Sequence, residues 1–232
     1  MDAIRWYLNA LEAIGTRTIA FGQVLDHWSS QSWHLFEREG SKFEMTSAGA
    51  KTNVDIYFAS AGKSKVAIEY HMSATTLLGS SVWMQFALDV SEKAGVVVQQ
   101  GYFMANKNLK PEIMPRELFF TNQGVQMQQF IFSDPKELAK DLIGEEKVEL
   151  PAGTISAKHY RKSNDGQVVD FWISEKVKPI GLVKLVSKSS RVASNNYTIE
   201  LKSLLVNVKP AIDPKNAIPM TNNTKSFLMP KP

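Results

Sequence analysis

The chain contains no cysteine, which removes disulfides, thiolate metal sites and cysteine nucleophiles together. Long apolar runs are missing too. Uninterrupted aliphatic stretches reach three residues, as at Val96–Val98, whereas a membrane-spanning helix needs about 20 mostly apolar residues. No transmembrane segment is expected. Met1-Asp2-Ala3 leads into a segment with Arg5, Asn9 and Glu12, not into a basic start followed by an apolar core, so no secretory signal is read there. Two locations fit: a periplasmic or outer-membrane-associated protein whose signal has been removed, or a cytoplasmic one.

Catalytic motifs are also lacking. Gly62-Lys63-Ser64 echoes the end of a phosphate-binding loop, but such a loop needs a glycine five residues earlier, where Tyr57 stands. There is no dinucleotide-type glycine triplet and no Gly-x-Ser-x-Gly nucleophile elbow. His27, His34, His71 and His159 fall in separate segments, without a second histidine or a carboxylate at helical metal-ligand spacing. The expectation is a protein that is not an enzyme, with no cofactor and no metal.

What is present is a strand period. Val54, Ile56 and Phe58 alternate with Asp55 and Tyr57; Val66, Ile68, Tyr70 and Met72 alternate with Ala67, Glu69 and His71. Ala61-Gly62-Lys63 between them reads as a hairpin turn. Val82, Met84, Phe86, Leu88 and Val90 continue the pattern, followed by strands at 96–104 and 125–132. After a loop at 106–116 and a later break, strands recur at 155–162, 168–174, 182–188 and 197–206, the first two flanking Asn164-Asp165-Gly166, a strong type I′ hairpin signal.

Two helices interrupt this order. Ile4, Leu8, Leu11 and Ile14 share one helical face. Asp134-Pro135-Lys136-Glu137 offers an N-cap, a first-turn proline and a capping glutamate, with Leu138, Leu142 and Ile143 as apolar face and Gly144 as terminator. After Lys209 come Pro210, Pro214, Pro219, Pro230 and Pro232, which cannot donate to a sheet ladder. The predicted fold is mainly β (α+β): an antiparallel sheet of roughly nine to eleven strands rolled into an open half-barrel. One domain covers residues 1–208, and 209–232 form an extended proline-rich tail.

Charge is uneven. Residues 1–157 carry 14 basic and 18 acidic side chains, and residues 158–232 carry 13 basic and 5 acidic. Such asymmetry can serve an anionic partner, here through Lys158, Arg161, Lys162, Lys184, Lys188 and Arg191. Lysines alternating along strands equally make a solvent face and protect sheet edges. The aromatic signatures of single-strand binding are missing, so no nucleic-acid partner is expected.

Five tryptophans, twelve phenylalanines and nine methionines must be buried somewhere on this sheet. Ile56, Phe58, Ile68, Tyr70, Met84, Phe86 and Leu88 alternate toward one face of three successive strands. With Trp172 they are the candidate lining of an apolar ligand cavity. The competing reading is that they simply make the core.

The block Leu150-Pro151-Ala152-Gly153-Thr154-Ile155, His159-Tyr160-Arg161, Asp170-Phe171-Trp172-Ile173-Ser174 and Pro179-Ile180-Gly181-Leu182-Val183-Lys184-Leu185 resembles the C-terminal half of certain uncharacterised bacterial exported proteins. The overall pattern is similar to the periplasmic lipoprotein-carrier superfamily of the LolA/LolB type. That resemblance implies an unclosed half-barrel with helices over an apolar cavity. It also implies non-enzymatic binding of a lipid, an acyl chain or a lipidated protein. The alternative is a cell-envelope protein–protein interaction module that takes no small ligand and uses its tail or an exposed strand edge.

Overall fold

This computed structural model describes residues 36–47, 49–62, 64–74, 81–89, 97–115, 139–164, 166–191 and 196–228. Twelve strands lie in it: β1 (Gly40–Ser47), β2 (Ala50–Ala61), β3 (Lys65–Ala74), β4 (Ser81–Asp89), β5 (Val97–Met104), β6 (Glu112–Met114), β7 (Leu142–Leu150), β8 (Gly153–Asn164), β9 (Gln167–Ile173), β10 (Leu182–Ser189), β11 (Tyr197–Leu205) and β12 (Ile218–Pro219). They form one open sheet in the order β12-β6-β5-β4-β3-β2-β1-β11-β10-β9-β8-β7. Every neighbouring pair is antiparallel except β12 with β6.

The topology is two meanders laid side by side. β1 to β6 run outward in sequence order. β7 then begins at the far edge, and β8 to β11 step back until β11 pairs with β1. Hairpin chemistry sets the registers locally. Ala61 pairs with Val66, and the Gly62 N–H donates to the Lys65 carbonyl at 2.8 Å. Asn164 pairs with Gln167, with Gly166 at a φ of 78°, where a glycine pays no Cβ penalty. The β7–β11 half curls far enough for β7 to approach β11, although β8, β9 and β10 lie between them in the sheet.

Because side chains alternate across a strand, these registers sort the residues into two faces. Met45 pairs with Ile199, Ile199 with Leu185, Leu185 with Phe171, and Phe171 with Tyr160. Phe43 pairs with Val54, Val54 with Met72, and Met72 with Val82. All are buried in one apolar cluster, which Val177, Ile180 and Met220 also join. Each large side chain removed from water there contributes about 1.5–3 kcal/mol before ordering costs.

The structure corrects three expectations from sequence. The segment near 134–144 does not end as a helix at Gly144: Leu142–Leu150 is strand β7. Leu142 and Ile143, read as a helix's apolar face, are exposed, and Gly144 marks a register shift in the pairing with β8, a common role for glycine in a strand. Long-range pairing with His159 and Lys158 decides the strand from Leu142 onward. The 106–116 loop contains the short strand β6. Finally, the segment after Lys209 is not a free tail. Ile212 and Met220 are buried, Ile218 and Pro219 pair with Glu112 and Ile113, and Asn222–Leu228 forms a helix, α1. Proline is compatible with this strand because β12 ends the sheet among the described residues. The N-terminal helix, the 125–132 strand and the capping sequence at 134–137 lie outside the described residues.

Candidate functional site

The seven residues expected to line a cavity on β2, β3 and β4 do share one face. Ile56, Tyr70 and Met84 are cross-strand neighbours, as are Phe58, Ile68 and Phe86, while Leu88 pairs with Val66. Six of them are buried, from 0% exposure at Ile56 and Phe58 to 9% at Met84. Tyr70 is half-buried, packs edge-to-face on Phe86 with centroids 5.9 Å apart, and has its phenol pushed well above the ordinary tyrosine range by burial. Trp172 does not join them. On β9 it lies between the inward-facing Phe171 and Ile173 and pairs with His159 and Lys184 on the other face. A surface depression of about 340 Å³ near the β2–β5 hairpin ends, lined by Ser60, Lys65, Ala67, Ala87, Leu88 and Gln99, touches this set only at Leu88.

The opposite face carries the polar chemistry. Tyr57, Glu69, Gln85 and Tyr102 form a row across β2 to β5. Glu69, with 0% exposure, accepts hydrogen bonds from the Tyr57 hydroxyl, from Gln85 Nε2 at 2.8 Å, and from the backbone N–H groups of Ala211 at 2.8 Å and Ile212 at 3.1 Å. Gln85 Nε2 also donates to the Ile212 carbonyl at 3.1 Å. One buried carboxylate thus clasps two consecutive amides of the C-terminal segment, and Ile212 seats against Trp83 and Met104. Burial, followed by the charge and hydrogen bond of Glu69, holds the Tyr57 phenol protonated far above its ordinary range, so it remains a donor.

Two histidine–tryptophan pairs lie on this same face. His71 stacks on Trp83 at 4.5 Å with Nδ1 3.2 Å from Asp55, and Lys107 Nζ sits 5.5 Å from the Trp83 ring centroid. His159 stacks on Trp172 at 4.3 Å, contacts Glu146 at 3.2 Å and Asp170 at 2.8 Å, and Lys184 Nζ lies 6.0 Å from the Trp172 ring centroid. Sequence reasoning missed this recurrence of acid, histidine, tryptophan and lysine, because the partners come from different strands. No nucleophile accompanies either histidine in the hydrogen bonds among the described residues, nor do those residues hold a cluster of three metal-ligating groups. Four basic side chains of the C-terminal third meet acids. Arg161 meets Asp170 at 2.7 Å, Lys162 meets Asp141 at 3.3 Å, Lys184 meets Glu200 at 2.9 Å and Lys202 meets Glu44 at 3.3 Å.

The two ends of the sheet differ. At one, the two-residue β12 with its proline caps β6, and Thr221 hydrogen-bonds Glu112 through its N–H and its hydroxyl, each at 3.2 Å. At the other, the nine-residue β7 pairs with β8 on one side and has no strand partner on the other among the described residues. Glu145, Glu146, Lys147 and Glu149 are exposed along it, and Leu142 and Ile143 are 46% and 59% exposed at its start. β7 is tied down by Trp172 Nε1 and His159, both bonded to Glu146, and by Ser156 Oγ, which donates to Glu145 at 2.9 Å.

No family model matches the sequence, and no curated protein matches it. Among solved structures, a crystal structure of MucB aligns with a TM-score of 0.41 at 12% identity, covering 81% of this chain and 60% of that one. The MucA/MucB complex of Pseudomonas aeruginosa gives 0.41 at 13% identity, covering 81% and 58%. PNGF-II gives 0.32 at 12% identity, covering 82% of this chain and 32% of that one. The chain spans 60% or less of the length of these structures. TM-scores this low leave the functional reading to the sheet's own geometry.

Proposed function

We propose that this chain is a non-enzymatic interaction module that binds another protein by adding a strand to its sheet. The observation that supports the reading is β7: a nine-residue edge strand that is held firmly to β8, carries exposed apolar residues at one end, and lacks a second strand partner among the described residues. Such an edge offers a row of main-chain donors and acceptors, the basis of strand addition. A photo-crosslinking residue at Ile143 or Glu149 in the organism of origin tests it. Capture of one discrete protein there, with none from the same probe at exposed Asn216, is expected. Equal capture at both places, or none at either, would sink the reading.

A second reading, uptake of an acyl chain or a lipidated partner in an envelope compartment, is favoured by the one-sided apolar face through Ile56, Phe58, Ile68, Met84 and Phe86. Removing ligand surface from water would drive it at about 25 cal/mol per Å² before ordering costs. These side chains are already packed against one another, so a ligand enters by displacing them, which flexible methionines such as Met72 and Met84 permit. Native mass spectrometry of the purified chain, followed by solvent extraction, decides this reading. A stoichiometric acyl species supports it, and a ligand-free mass with an empty extract removes it.

A further inference from the structure

Resting on the strand-addition reading, we infer the chemistry of the partner: an extended segment of another protein bearing lysine or arginine at alternate positions, paired along the outer edge of β7. The argument is the charge pattern of the edge. Three glutamates and one lysine fall within Glu145–Glu149, with Glu145, Lys147 and Glu149 on one side of the strand and Glu146 on the other. Glu146 is already committed to His159 and Trp172. Register places Lys158 opposite Glu145, yet Glu145 accepts from Ser156 instead, so β8 does not quench the carboxylates that an incoming strand would meet.

Charges on an edge strand discourage indiscriminate pairing, and the same charges select. A strand with cations at alternate positions meets Glu145, Lys147 and Glu149, gaining two favourable cross-strand pairs against one repulsive pair, and a strand with carboxylates there meets two repulsive pairs against one favourable. Leu142 and Ile143, exposed at the start of β7, give the incoming segment an apolar foothold beyond the charged stretch, which fixes its register. The opposite edge offers no comparable template, because the C-terminal segment already caps it through β12.

The test uses the full chain with three synthetic nonapeptides of alternating valine, differing in the intervening residue: lysine, glutamate or serine. The readouts are titration calorimetry and hydrogen-exchange protection of residues 142–150. The lysine peptide should bind on the order of tenfold more tightly than the glutamate peptide at low salt. That preference should shrink as ionic strength rises past the point where the Debye length falls below about 8 Å. The double variant E145K/E149K, checked for folding by its unchanged thermal midpoint, should invert the order. If all three peptides protect β7 equally, the charge inference fails while strand addition stands. If no peptide protects β7, or if the chain instead self-associates through it and the peptides do not compete, both fail.

Discussion

The Glu69 carboxylate accepts the backbone N–H of Ala211 at 2.8 Å across 142 residues of sequence. Together with the Ile212 amide and the Gln85 amide group, this contact turns the end of the chain into a strap lying over the outer face of β3 and β4. Glu69→Ala leaves the buried Tyr57 hydroxyl and the N–H groups of Ala211 and Ile212 without their acceptor, and should cost about 3 kcal/mol or more. Glu69→Gln, which keeps one acceptor oxygen, should cost about 1–3 kcal/mol. Urea denaturation reports the loss, and hydrogen exchange at 211–212 reports where it occurs. Unchanged exchange there in Glu69→Ala would contradict the clasp.

Gly40 stands where two strands meet too closely for a side chain. A Cβ there would lie 2.4 Å from the Ile56 carbonyl oxygen and 2.4 Å from the Tyr57 Cβ. Gly40→Ala therefore forces β1 away from β2, with an expected loss of about 1–3 kcal/mol in chemical denaturation. At Gly49, nothing lies within 4 Å of an added Cβ, but φ is +80°, so Gly49→Ala should cost about 1–2 kcal/mol through backbone strain alone.

Lys178 has its ammonium 4.3 Å from the Phe36 ring centroid. Burial pushes its pKa from 10.5 down to about 8, against the opposing charges of Glu175 and Glu39. Between these two values the unfolded chain binds more protons at this site than the folded one, so the group's contribution to stability rises with pH there. Relative to Lys178→Met, the wild-type denaturation midpoint should gain between pH 8 and pH 10.5. Parallel pH profiles for the two proteins would show that Lys178 is solvated like an ordinary lysine.

For Asp170 the slope has the same sign, but it falls on the acid side. Burial raises its pKa, but the hydrogen bonds from Arg161 and His159 and their charges outweigh it and leave a net depression. The carboxylate's stabilising contribution is thus present above the ordinary carboxylate range and lost as pH falls through its depressed folded value. Asp170→Asn should remove that acid-side dependence and loosen the His159–Trp172 stack, seen as a change in tryptophan fluorescence. An unaltered acid limb in the variant would rule this out.

Much of the sheet was legible from sequence, because burial on one face leaves a period of two. Val54-Ile56-Phe58, Val66-Ile68-Tyr70-Met72 and Val82-Met84-Phe86-Leu88 name their own strands, and Gly62 and Gly166 name the turns between partners. β7 was not legible: Leu142, Ile143 and the run of glutamates follow no alternating apolar pattern, since the strand buries little and is specified by its pairing with β8. The strap was hidden for a related reason. Its prolines mark it as unable to extend a ladder from inside a sheet, but not that a carboxylate far away in sequence would accept its amides.

The sequence by itself determined which residues turn inward, because that depends on local alternation and on side-chain solubility. Tertiary structure alone decided how the two meanders join through β1 and β11, that Trp172 faces away from Phe171's side of the sheet into a stack with His159, and that β7 ends the sheet among the described residues. Those outcomes depend on register between segments distant along the chain. Register is settled by the summed pairing of whole strands, which no single segment carries.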